Sequence, residues 1–119
     1  MLPSNFDISI AKRPELRRVL LRVSNWVQNH QDWDLIDPRV LSKDLHDISE
    51  RHLNSALDAL VEDGALEQVF MLASPSTGVL VSGEYRTLSE LPSGRIWDRL
   101  NYIDAGDAEI VAVLKGVGG

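Results

Sequence analysis

The chain has 119 residues, 44% of them apolar and 25% charged, a balance that supports a packed core and excludes a disordered polyelectrolyte. It contains no cysteine, which excludes a disulfide framework, thiolate metal sites and a cysteine nucleophile. The net charge of −6 is uneven: residues 1–30 carry five basic and two acidic side chains and the remainder seven and sixteen, so most of the surface should repel a polyanion.

No apolar run is long enough to span a bilayer, and the N-terminus lacks the basic-then-apolar order of a signal peptide, so the expectation is a soluble cytoplasmic protein. Residues 1–13 read as a lead-in with a short strand over Ile8-Ser9-Ile10. Pro14 suits the first turn of a helix. From there Leu16, Val19, Leu20, Val23, Trp26 and Val27 recur at three- and four-residue steps, predicting an amphipathic helix to about Asn29. Asp37-Pro38 supplies an N-cap and first residue for a second helix ending near His46, with Ile36 and Leu41 placed to form a hydrophobic staple. Ser49 caps a third helix, with Ile48 and Leu53 as its staple and Leu53, Ala56, Leu57, Leu60 and Val61 as its buried stripe. Gly64 stands where a left-handed residue ends a helix. The period then changes. Val69–Ala73 and Val79–Val81 flank Ser74-Pro75-Ser76-Thr77-Gly78 and predict a hairpin whose second arm extends through Glu84–Thr87. Glu109–Leu114 reads as a further strand paired with Asn101-Tyr102-Ile103, and Gly116 to Gly119 as a frayed tail.

The segment Ile48-Ser49-Glu50-Arg51-His52-Leu53, continued through Ala56-Leu57, Leu60 and Gly64-Ala65-Leu66, resembles the third helix of bacterial winged helix-turn-helix proteins. Asp37 to His46 resembles the preceding helix of that family. The resemblance covers residues 14 to about 86 and implies an α+β fold: three helices, a β-hairpin wing and a small C-terminal β extension. The expected division is a lead-in over 1–13, a winged helix domain over 14–91 and a β extension with its tail over 92–119. Ser74-Pro75-Ser76-Thr77-Gly78 also resembles a zinc-knuckle loop with both cysteines replaced, as in a metal-free relative of a zinc ribbon. An ordinary Pro/Gly hairpin turn is the competing reading. Neither Ser74 nor Thr77 can replace a thiolate, so neither metal nor another cofactor is expected.

The resemblance implies that the third helix would read DNA through Glu50, Arg51, Asn54, Ser55 and Asp58. Arg51 and Asn54 have the chemistry to read guanine and adenine. The charge opposes this: Asp37 to Gly64 holds three basic and seven acidic residues, and the hairpin tip has no Lys or Arg. Arg17, Arg18 and Arg22 form a basic helix face that suits an anionic contact or is simply solvated. His30, His46 and His52 offer no third ligand in the pattern, and the pairs Asp32/Asp34 and Asp104/Asp107 lie in turns, where Asp shapes backbone. No phosphate-binding glycine loop, nucleophile elbow or zinc-protease helix is present, so no enzyme is expected. Trp26 belongs to the core stripe, whereas Trp33 and Trp97 either edge the core or anchor a partner protein. The preferred reading is a non-enzymatic protein-interaction module, an adaptor or subunit of an assembly, with a homodimer allowed. A sequence-specific DNA-binding regulator using Arg51, Asn54 and Ser55 is the alternative, and an accessory domain of an enzyme a third.

Overall fold

The computed structural model describes residues 6–98 and 101–117, so the expected loose residues before Phe6 and the last two glycines of the tail lie outside the described part. It is a mixed α+β structure with an antiparallel sheet. No described helix is long and apolar enough to cross a membrane. The chain divides into two compact units, residues 1–67 with 114–119, and residues 68–113.

The first unit contains helices α1 (Asp7–Lys12), α2 (Arg17–Gln28), α3 (Pro38–Asp44) and α4 (Glu50–Glu62). The expected strand at Ile8–Ile10 is a helix instead: Phe6 and Ser9 are buried, Ile10 packs half-buried against the core one turn after Phe6, and Ile8 faces solvent. Pro14–Leu16 is a 3₁₀ turn leading into α2, whose Leu20, Val23, Trp26 and Val27 are buried as their spacing predicts. The Asp37 carboxylate accepts the Arg39 N–H at 3.0 Å, which caps α3, and both staple partners, Ile36 and Leu41, are buried. α3 stops at Asp44, two residues before His46.

α4 follows its sequence signals at both ends. The Ser49 hydroxyl accepts the His52 N–H at 3.2 Å and also bonds the His52 ring Nδ1 at 2.9 Å. At the other end Gly64 has φ of 79°, the Ala65 N–H donates to the Leu60 carbonyl at 2.9 Å, and the Gly64 N–H donates to the Val61 carbonyl at 3.1 Å. Those two bonds are the Schellman pattern, which satisfies carbonyls that the helix itself leaves open. Leu53, Ala56, Leu57 and Leu60 enter one cluster with Leu20, Val23, Trp26, Val27, Leu41 and Leu66. A two-residue strand, β1 (Leu35–Ile36), pairs with the end of β6 (Glu109–Gly116) through Leu35 opposite Lys115 and Ile36 opposite Leu114.

The second unit holds most of β2 (Leu66–Ala73), then β3 (Leu80–Tyr85), β4 (Arg95–Asp98), β5 (Asn101–Asp104) and the first part of β6; the larger sheet has the order β1-β6-β2-β3. β2 and β3 form the expected hairpin. Its turn is closed by its own atoms: Gly78 N–H donates to the Ser74 carbonyl at 2.8 Å, Ser74 N–H to the Val79 carbonyl at 2.9 Å, and the Ser74 and Ser76 hydroxyls bond at 3.1 Å. The pairing slips between Phe70 opposite Tyr85 and Leu72 opposite Val81, which leaves extra β3 residues around Gly83 unmatched. Gly83 has φ of 120°, and a Cβ there would lie 2.6 Å from the Tyr85 hydroxyl oxygen. Gly83→Ala is therefore expected to cost about 1–3 kcal/mol of backbone strain and to displace the Tyr85 ring. Urea denaturation reads the cost, and an unchanged midpoint would show that the bulge tolerates a side chain.

The expected pairing of Asn101-Tyr102-Ile103 with the Glu109 strand is not found. β5 pairs with β4 instead, Trp97 opposite Tyr102 and Ile96 opposite Ile103. Only two residues separate these strands in sequence, so their closure costs less entropy than a longer loop would. The Ala105 N–H, donating to the Gly94 carbonyl at 2.7 Å, ties the ends of this hairpin together.

Candidate functional site

Arg51, Asn54, Ser55 and Asp58 are all exposed on α4, at the spacing of one helix face. The Ser55 hydroxyl is turned back onto its own helix, donating to the Arg51 carbonyl at 2.9 Å. Beside this face a cleft of about 200 Å³ is lined by Pro38, Arg39, Ser42, Glu50, Leu53 and Asn54. Its cation, Arg39, grips Asp37 with its guanidinium at 2.8–3.2 Å, so it meets the cleft already paired. Among the described residues, Arg51 on the α4 face has no ion-pair or hydrogen-bond partner for its guanidinium, and Glu50 and Asp58 are exposed on the same helix.

The basic face expected on α2 is divided by the fold. Arg22 makes a two-pronged contact with Asp47 at 2.7 and 2.9 Å. The guanidinium holds the Asp47 carboxyl below the usual carboxylate range, and the same bonds raise Arg22. Lys12 and Arg13 are also consumed, at 3.2 Å and 3.3–3.4 Å from Asp63, with Arg13 reaching Glu62 at 2.8 Å. Arg17 and Arg18 remain exposed, and among the described residues neither has an ion-pair or hydrogen-bond partner. The five cations of the first 30 residues therefore do not form one anionic binding face. Three answer carboxylates of the same chain, a fact that charge counting cannot reveal.

Trp33 is 39% exposed and stands edge-on to Trp26, with ring centroids 5.6 Å apart. Between them His30 stacks on Trp26 at 4.0 Å and bonds the Trp26 carbonyl through Nδ1 at 2.6 Å. Trp26 in turn donates its indole N–H to Asp44 at 2.9 Å, joining α2 to α3. These partners give His30 and Trp26 structural roles, and leave one edge of Trp33 at the surface.

Trp97 belongs to the second unit and is 53% exposed. It packs against Tyr102, 63% exposed, with the rings 5.0 Å apart and nearly edge to face. The two rings face solvent together as a cross-strand pair. Sequence reasoning selected Trp97 and missed Tyr102, because the strand containing Tyr102 was assigned a different partner. The signal available was the short spacing between the two aromatic strands.

His46 and His52 are exposed, and among the described residues no group of three or more His, Asp or Glu side chains converges to hold a metal ion. The hydroxyls at the two replaced knuckle positions act locally: Ser74 bonds Ser76, and Thr77 accepts the Val79 N–H at 3.3 Å. Comparison with known protein families, curated proteins and solved structures finds no match to this chain.

Proposed function

We propose that this chain is a non-enzymatic winged-helix module that binds protein, serving as an adaptor or as a subunit of a larger assembly. The chain order supports the fold reading: three helices, α2 to α4, a short turn between the last two, and then the β2–β3 hairpin. The observation that carries the functional reading is the solvent-facing pair Trp97 and Tyr102. Tryptophan and tyrosine are the residues most enriched at the energetic centres of protein interfaces, because each buries a large rigid area at a small entropy cost.

A DNA-binding regulator is the second reading, favoured by the adjacent exposure of Arg51 and Asn54 on α4. The ion pairs weaken it: Arg39, the cation in the cleft beside that face, is already bound to Asp37, and Arg22 of α2 to Asp47. Phosphate contacts supply most of the affinity of DNA readers, and a paired guanidinium must first give up its carboxylate.

The discriminating experiment compares the natural protein with a Trp97→Thr, Tyr102→Thr double variant, since threonine keeps the strand preference while removing both rings. Affinity capture of partners from cell extract is expected to fall by about 30-fold or more, the effect of losing an interface centre worth about 2 kcal/mol. Unchanged capture by the folded double variant overturns the role of the aromatic pair. Tight, salt-sensitive binding to duplex DNA that Arg51→Ala abolishes overturns the adaptor reading itself.

A further inference from the structure

We propose that the exposed face of α2 centred on Leu21 docks an acidic peptide segment of a partner protein, one that carries a single apolar side chain among its carboxylates. This rests on the adaptor reading and names a surface and a partner chemistry for it. Leu21 is 47% exposed, on a helix whose other face buries Leu20, Val23, Trp26 and Val27. Arg17 and Arg18 precede it by four and three residues, so their side chains and that of Leu21 share one turn of surface. With Pro14, Glu15 and Arg22 they line a shallow concavity of about 500 Å³.

Charge complementarity identifies the occupant. Acidic side chains outnumber basic ones 18 to 12 in this chain, and Lys12, Arg13, Arg22 and Arg39 are each answered by a carboxylate. Arg17 and Arg18 have no such partner among the described residues, although the chain has carboxylates in excess. Two open guanidiniums call for carboxylates or phosphates. The apolar floor decides between them, because Leu21 gains only from burial against another apolar group. Overall charge decides the same way. A nucleic acid extends its charge well beyond one helix turn and would face a surface that is net acidic outside residues 1–30, whereas a short acidic peptide can end at the edge of the concavity. Glu15, also in the lining, repels any carboxylate placed against it and so limits where the peptide's charges can sit.

The test uses fluorescence anisotropy with a labelled, Glu-rich short peptide carrying one central Leu, read beside the same peptide with Ser at that place and a single-stranded oligonucleotide of equal charge. The Leu peptide is expected to bind, and Arg17→Glu with Arg18→Glu to weaken it about tenfold or more. Leu21→Ser is expected to weaken it about fivefold while leaving the Ser peptide unaffected. All three positions are exposed, and circular dichroism confirms that the variants stay folded. Failure of the Leu peptide to bind, binding that survives the charge reversal, or tighter binding of the oligonucleotide overturns the proposal. So does concentration-dependent self-association that the charge reversal abolishes, which would give this face to a second copy of the chain. Failure of the Leu peptide to bind, while a partner is still captured through Trp97 and Tyr102, overturns the α2 surface and leaves the adaptor reading standing.

Discussion

Leu60→Ala is expected to lower the stability of the protein by about 2–5 kcal/mol, the largest effect of any single conservative truncation argued from this structure. Leu60 is fully buried, and its cluster draws on α2, α3, α4 and β2. Truncation removes the transfer energy of three carbons from a close-packed cluster and leaves a space that the surrounding core closes only in part. Total stabilities of small domains lie at about 5–15 kcal/mol, so this one change consumes a large fraction. Urea denaturation should show a lower midpoint at an unchanged slope. Asp58→Ala, two residues earlier on the exposed face, is the matched control and is expected to stay within about 0.5 kcal/mol. A loss under about 1 kcal/mol at Leu60 would mean that the helix is not fastened to the core where the structure fastens it.

The same helix shows what the sequence makes legible. The cap at Ser49, the staple residues Ile48 and Leu53, the stripe through Leu60 and the left-handed Gly64 all lie within one continuous stretch, and each acts through neighbours a few residues away. Local rules suffice there. α1 is misread because its apolar residues alternate over only three positions, a window in which strand and helix periods look alike; burial of Phe6 and Ser9, with Ile10 packed half-buried against the same cluster, decides the matter. The partner of β5 is misread because two strands compete for it and register is a long-range property. β1, two residues long, has no pattern to display.

The candidate site divides along the same line. Exposure of Arg51, Asn54 and Asp58 follows from helix periodicity and is legible. The fate of Arg22 is not, because Asp47 comes from a distant turn, and only the fold brings the two within 2.7 Å. Composition states how many charges of each sign exist; tertiary structure states which of them remain available. For this chain that distinction separates a basic helix from a surface with two open arginines beside a leucine.

Asp63→Asn is expected to flatten the acid limb of the stability profile, and the reason lies at the wrong end of a helix. Glu62 and Asp63 close α4 at the negative end of its dipole, so two carboxylates there oppose it. Lys12 and Arg13 at the end of α1 reverse that conflict. The Asp63 side chain is only 3% exposed, and the bonds from Arg13 first, then from Ser9 and Lys12, hold its carboxyl down at about 2 against the cost of desolvation. In the unfolded chain the same group titrates near 3.9. A carboxyl depressed on folding contributes stability that is fully present above its unfolded value and is lost as pH falls through its folded value, so the window is about pH 4 down to about pH 2. In that window unfolding of the natural protein takes up about one proton at this site, and Asp63→Asn removes it, giving a shallower acid decline from a lower neutral plateau. Arg13→Ala reaches the same shape by another route, because without the guanidinium the Asp63 carboxyl returns toward its unfolded value and the difference between the two states shrinks. The two changes made together should therefore be less than additive, since each removes the same interaction. Parallel acid profiles for the natural protein and Asp63→Asn, or strict additivity of the pair, would show that α1 is not fastened to the end of α4 through this carboxylate.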